Sequence, residues 1–228
     1  MNHEVVPAIL AKTKKEFFDK LEIASQFAKT VQIDLMDGLF VDNKSSRDLL
    51  NGNWFVEYLL AHPENKMSRI ELHLMVMDPW RVVTDWVRFE QLYRVIWHIE
   101  APLQQGDLIQ AIHALHLQAG LAINPKNNIN ELSTFVSATK NKASVDHILV
   151  MGVTPGWSGQ RFKPSVIAKI KTLRRKYPKL SIGIDGGVSL KNAQTIIRAG
   201  ANVLNAAGAI FLAEDSKQAY KELGKIKQ

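Results

Sequence analysis

The sequence contains no cysteine. Disulfides, thiolate metal sites and cysteine nucleophiles are therefore excluded, and the redox compartment is left open. It has no apolar run near the ~18 residues that read as a membrane-spanning helix. Its start, Met1-Asn2-His3-Glu4-Val5, has neither the basic segment nor the apolar core of a signal peptide. A cytoplasmic protein without a membrane partner is expected. Linkers, low-complexity tracts and shifts of composition are also missing, so one domain over residues 1–228 is expected. Zinc-finger spacing, an RNA-binding signature and a basic tail are absent as well. The net charge of +7 then reads as solvated helix faces, because Lys169, Lys171, Arg174, Arg175 and Lys176, and later Lys217, Lys221, Lys225 and Lys227, fall on helix-like segments. No nucleic-acid partner is expected, and the basic balance suits the steering of an anionic metabolite.

What is present is alternation. Val31, Ile33 and Leu35 interleave with Gln32 and Asp34, the period-2 pattern of a strand, and Asp37-Gly38 breaks it with turn chemistry. Strand-like runs recur at 4–10, 31–34, 69–75, 94–98, 120–125, 147–151, 181–184 and 201–205. Helical periodicity occupies 14–28, 54–61, 108–117, 129–138, 164–177, 190–199 and 215–227, and Asp78-Pro79 opens a further helix. Residues 39–53 are polar and irregular, long for a strand-to-helix connection. Eight strands alternating with helices over this length predict an α/β fold, a (β/α)₈ TIM barrel. An open doubly wound sheet normally has a glycine-rich turn after an early strand, and the first turn here, Ala11-Lys12-Thr13, has none.

In such a barrel, chemistry sits at the C-terminal ends of the strands. Asp34 and Asp37 lie at one such end, and Ser181-Ile182-Gly183-Ile184 runs into a second acidic turn, Asp185-Gly186-Gly187. Two strands that each end in an acid suggest two carboxylates facing one pocket. The plainer reading of Asp37 is a turn cap. Small residues follow three late strands: Thr154-Pro155-Gly156-Trp157-Ser158-Gly159-Gln160, Gly186-Gly187, and Ala206-Ala207-Gly208-Ala209, which opens a short helical segment. Glycines let backbone N–H groups approach an anion, and the loops after strands seven and eight are where barrels hold phosphate. His73 lies in an apolar strand, where a lone histidine is ordinarily a hydrogen-bonded core residue. Paired with Asp34 and Asp185 it becomes a candidate metal ligand. His98 also lies at a strand end, with no spacing that singles it out.

Pro7-Ala8-Ile9-Leu10, Asp34-Leu35-Met36-Asp37-Gly38, His73-Leu74-Met75, Trp97-His98-Ile99-Glu100, Asn124-Pro125, the 154–160 loop, Asp185-Gly186-Gly187-Val188 and Gly208-Ala209-Ile210-Phe211 follow one another along nearly the whole chain. In this order they resemble the ribulose-phosphate 3-epimerases. The resemblance implies a ribulose-phosphate-binding barrel, the interconversion of ribulose 5-phosphate and xylulose 5-phosphate, and a homo-oligomer acting on a small phosphosugar. It implies Asp34 and Asp185 as the acid/base pair. It makes Asp34, His73, Asp185 and position 32 the ligands of a divalent metal ion (Zn, Fe, Mn, Co or Mg). His73, Met36, Met75, Gly156, Trp157, Ser158, Gly159, Gly186, Gly187, Ala207 and Gly208 would contact the substrate and its phosphate. The chemistry agrees: epimerisation needs an acid/base group on each face of the carbon, and an electrophile for the enediolate.

The chain departs from the family pattern at four places. Gln32 stands where the family has histidine, Ala8 where it has serine, and Leu39-Phe40-Val41-Asp42-Asn43 where it has a His-aromatic-Val-Pro-Asn run. Ala207-Gly208 replaces a Gly-Ser pair. A glutamine carbonyl is a weaker, harder donor than imidazole, so metal binding is expected to be weakened or absent and the chain to be a divergent member. The alternative is a non-catalytic or metal-impaired phosphosugar-binding barrel of the same family. Retention of both acids argues against it. A lyase or decarboxylase built on an Asp-x-Lys-x-x-Asp array is disfavoured because Asp34-Leu35-Met36-Asp37 lacks the lysine.

Overall fold

Alternation along each strand sorts side chains between two interiors. The computed structural model describes residues 3–64, 67–136 and 144–227. The strands are β1 (Glu4–Ile9), β2 (Thr30–Met36), β3 (Arg69–Met75), β4 (Leu92–His98), β5 (Gln118–Ile123), β6 (His147–Met151), β7 (Ser181–Asp185) and β8 (Val203–Ala206). They close in sequence order into a barrel, each parallel to its neighbours. Helices α1 (Lys14–Ser25), α2 (Arg47–Leu50), α3 (Asn53–Ala61), α4 (Pro79–Trp86), α5 (Gln105–Ala114), α6 (Val166–Lys176), α7 (Leu190–Ala199), α8 (Gly208–Phe211) and α9 (Ser216–Lys225) fill the connections. This is the (β/α)₈ TIM barrel expected from the sequence.

The main core lies between barrel and helices. Val31, Ile33 and Leu35 of β2 enter it with Phe17 and Leu21 of α1 and Phe55 of α3, all fully buried. Inside the barrel the apolar cluster is small, Ile96, Ala122, Leu149 and Met151. Most of the remaining interior is polar: Gln32, Asp34, Glu71, His73, Arg94, His98, His147, Asp185 and Asn205 are all buried. Strand register aligns them. Gln32 pairs with Glu71 and Asp34 with His73 across β2–β3, Glu71 with Arg94 across β3–β4, and Asp185 with Asn205 across β7–β8.

Helix boundaries follow their caps. Thr13 accepts from the Glu16 N–H to start α1, and Asp78 with Pro79 at the first turn starts α4. Gly200, at φ 114°, ends α7. Two sequence expectations change. The irregular 39–53 stretch contains α2, because the Ser46 hydroxyl accepts from the Leu49 N–H. The helix expected over 129–138 is a single 3₁₀ turn, Ile129–Leu132. Asn128 and Glu131 form its capping box, and beyond it the Ser133 N–H and hydroxyl both donate to the Asn130 carbonyl. Residues 137 and 138 lie outside the described residues.

Candidate active site

Gln32 and Asp34 lie two apart on β2 and so share the inner face. The Gln32 Nε2 donates to Asp34 Oδ1 at 2.7 Å and to Asp185 Oδ2 at 2.7 Å, which ties the two strand-end acids together. His73 Nδ1 stands 3.0 Å from Asp34 Oδ1 and 3.4 Å from Asp185 Oδ2. Among the described residues, Asp34, His73 and Asp185 form the group able to hold a metal ion, with ligand atoms all within 4.8 Å of one another. Two carboxylates and an imidazole fit a divalent cation. The other ring nitrogen of His73 is held 3.0 Å from His98 Nε2, an outer partner of the kind that orients a metal-ligating histidine. Gln32 turns its nitrogen, not its carbonyl oxygen, toward the acids.

Electrostatics follow from burial. Burial raises Asp34 above the usual carboxylate range, and the Asp185 charge pushes it further, outweighing the hydrogen bonds from His73 and Gln32. For His73, burial alone disfavours the charged ring, but hydrogen bonds and charge from Asp185 and Asp34 together win and lift it to about 9. Burial lowers His98 to about 4, against the opposing pull of the Glu100 carboxylate, which stands 3.8 Å from its Nδ1. His98 Nε2 is then the acceptor between the two rings, and His73 the donor.

The acids open into a cavity of about 170 Å³ lined by Asp34, His73, Met75 and Asp185 with the loops 155–160, 186–188 and 207–209. Sequence-derived Gly156, Trp157, Ser158, Gly159, Gly186, Gly187, Ala207 and Gly208 all border it. Met36 does not: it is buried, and its N–H reaches the Ser45 hydroxyl. Gly187 has φ 71°, and a Cβ there would lie 2.9 Å from the Phe162 backbone, so this turn requires glycine for packing as well as for any anion. The 154–160 loop is braced. Asn43 donates to the Gly156 carbonyl at 2.8 Å, Gln160 donates to the Thr154 and Trp157 carbonyls, and the Lys12 ammonium stands 4.8 Å from the Trp157 ring centroid. Asp37 is the turn cap of its plainer reading. One oxygen accepts from the Leu39 and Phe40 N–H groups and the other from the Met77 N–H.

Sequence reasoning did not single out Asn205, Glu71 or Arg94, which complete the network below the acids. Period-2 alternation places them on the inner face, but no motif distinguishes them from solvent-facing polar residues of other strands.

Fold and site thus define a (β/α)₈ barrel whose cavity is walled by two facing carboxylates and a histidine. The chain belongs to the ribulose-phosphate 3 epimerase family, whose profile it matches over residues 4–211. It is 31% identical over 219 residues to the ribulose-phosphate 3-epimerase of Schizosaccharomyces pombe, covering 94% of this chain and 90% of that one. To the ribulose-phosphate 3-epimerase of Bacillus subtilis it is 29% identical over 226 residues, 96% and 97% of the two chains. The fold is also similar to that of the 3-hexulose-6-phosphate synthase of Salmonella typhimurium, with a TM-score of 0.67 at 13% identity over 98% and 97% of the chains. Among the described residues, no helix is long and apolar enough to cross a membrane.

Proposed function

We propose that the protein is a phosphoketose 3-epimerase that interconverts ribulose 5-phosphate and xylulose 5-phosphate. The observation that carries this reading is the placement of Asp34 and Asp185 on β2 and β7, both bonded to the one Gln32 nitrogen and both bordering one cavity. One acid takes the C3 proton on its face of the sugar, and the other returns a proton to the opposite face. A pair of buried carboxylates so close does not ionise together readily, which suits a site that always needs one base and one acid. Burial and the Asp185 charge raise Asp34 above the usual carboxylate range, so that the pair holds a proton more readily than a free carboxylate would.

Asp34, His73 and Asp185 would hold a divalent ion, which when bound stabilises negative charge on the enediolate oxygens. His73 is fixed for this by His98. The sugar phosphate is held by backbone N–H groups of the 186–187 and 207–208 turns, with Met75 under the carbon chain. Trp157 and its loop exclude water from the reacting carbon.

The test is proton exchange at C3 of ribulose 5-phosphate in D₂O, followed by NMR with and without added Mn²⁺. Deuterium at C3 with appearance of xylulose 5-phosphate is expected. Binding of the sugar without exchange under any metal condition would instead assign the non-catalytic phosphosugar-binding role.

A further inference from the structure

Gln32 is one end of a chain of hydrogen bonds that dictates which way its amide faces. At the other end, Tyr93 Oη and Arg94 Nη1 both donate to Glu71 Oε2 at 2.9 Å. The second oxygen, Glu71 Oε1, accepts from Asn205 Nδ2 at 2.6 Å, and the same nitrogen donates to Gln32 Oε1 at 2.6 Å. A carboxylate has lone pairs and no proton to offer, and this one faces a guanidinium. Asn205 must therefore present its NH₂ to Glu71. The second hydrogen of that NH₂ needs a carbonyl, and Gln32 supplies it. The Gln32 NH₂ is left on the other side, where it meets Asp34 and Asp185 at 2.7 Å each. Turning Asn205 over would set its oxygen against those of Glu71 and Gln32. Turning Gln32 over would set its oxygen against both acids and its NH₂ against that of Asn205. The orientation is held even though Asn205 Oδ1 is buried with no partner.

We propose that Glu71 and Asn205 are positioning residues that lock the Gln32 amide with its N–H groups on the acid pair, so that Gln32 acts as a hydrogen-bond donor to Asp34 and Asp185 and not as a metal ligand. Its two hydrogens then compete with a cation for the same carboxylate oxygens. The proposal takes from the epimerase reading only what the acids are for. It deepens that reading by replacing one expected ligand with a donor, and it names the buried residues responsible.

Mn²⁺ titration without sugar tests it, by calorimetry and electron paramagnetic resonance, on wild type, Gln32→Leu, Asn205→Leu and the double variant. Gln32→Leu removes no ligand, so its Mn²⁺ affinity equals or exceeds that of wild type. Asn205→Leu frees the amide to turn its carbonyl inward, and affinity rises about fivefold or more; the double variant loses that gain, as coupling through one side chain requires. In wild type, the Gln32 side-chain NH₂ resonances are downfield and slow to exchange, and Asn205→Leu removes this signature. A tenfold or greater loss of affinity in Gln32→Leu, an amide signature unmoved by Asn205→Leu, or Mn²⁺ binding absent from all four proteins overturns the proposal. Should Asn205→Leu not fold, the Gln32→Leu titration decides alone. Failure of the epimerase reading shows separately, as no C3 exchange, and leaves these titrations intact.

Discussion

The barrel holds two polar tiers one above the other, and they treat buried charge differently. In the lower tier Glu71 is matched to Arg94, whose Nε and Nη2 also reach Gln118 Oε1 at 3.0 and 2.8 Å, while Tyr93 covers the same Glu71 oxygen. One acid meets one permanent cation. In the upper tier two acids share one amide nitrogen and one imidazole. The lower tier is an ion pair with its hydrogen bonds made, suited to filling a barrel. The upper tier keeps an excess of acid at the mouth of a cavity, which a structural role does not require and proton transfer does.

The comparison breaks most visibly at the acids. Asp34→Asn and Asp185→Asn should each lower C3 exchange by at least ~10³-fold, about 4 kcal/mol of barrier. A variant that keeps a tenth of wild-type turnover does not lack its acid/base. Arg94→Met should act on stability instead. It strands Glu71 as a buried charge and costs about 3–5 kcal/mol of stability, read as the shift of the urea midpoint. A loss under 1 kcal/mol would mean that Glu71 and Arg94 are not a matched ion pair.

The barrel was legible because apolar residues at 31, 33 and 35 announce one buried face, and seven further runs repeat the pattern. The upper tier was legible because Asp34, His73 and Asp185 sit at strand ends beside glycine turns or in motifs. The lower tier was not. Glu71, Arg94 and Asn205 become partners only through inter-strand register, and Gln32 meets Asn205 from a strand 173 residues away. Gln32 was readable as a departure, but the direction of its amide depends on Glu71, which no local pattern connects to it. The short 3₁₀ turn at Ile129–Leu132 was not legible, because its capping box marks where a helix starts and not how far it runs.

A smaller change sharpens the contrast from the cavity side. A Cβ on Gly208 would meet only Leu212 Cδ1, at an ordinary 3.5 Å. Gly208→Ser, which restores the family's hydroxyl, therefore fits without rearrangement. One added hydrogen bond to the sugar phosphate, worth about 1 kcal/mol, should lower KM for ribulose 5-phosphate by about fivefold with kcat unchanged. An unchanged KM would place the phosphate elsewhere.

The smallest effect concerns another inhabitant of the lower tier. His147 is fully buried, with Nδ1 2.9 Å from the Ser181 hydroxyl and Nε2 unpartnered. Burial, and then the nearby Arg94 charge, hold it well below its ordinary value of 6.5. Above that pH both folded and unfolded chains carry a neutral ring, and its titration contributes nothing to the balance. Below it, the unfolded chain binds a proton that the folded barrel refuses, so stability falls as pH falls, by at most ~1.4 kcal/mol per pH unit from this group. His98, also lowered, gives the same sign, and so the slope of wild type alone does not isolate His147. The difference between wild type and His147→Gln does. Urea unfolding at several pH values from 6.5 down to 5 should give a shallower loss in the variant, by up to that amount per unit. Equal slopes would mean that the ring is protonated in the barrel, and that the lower tier is not the place where buried charge is kept strictly paired.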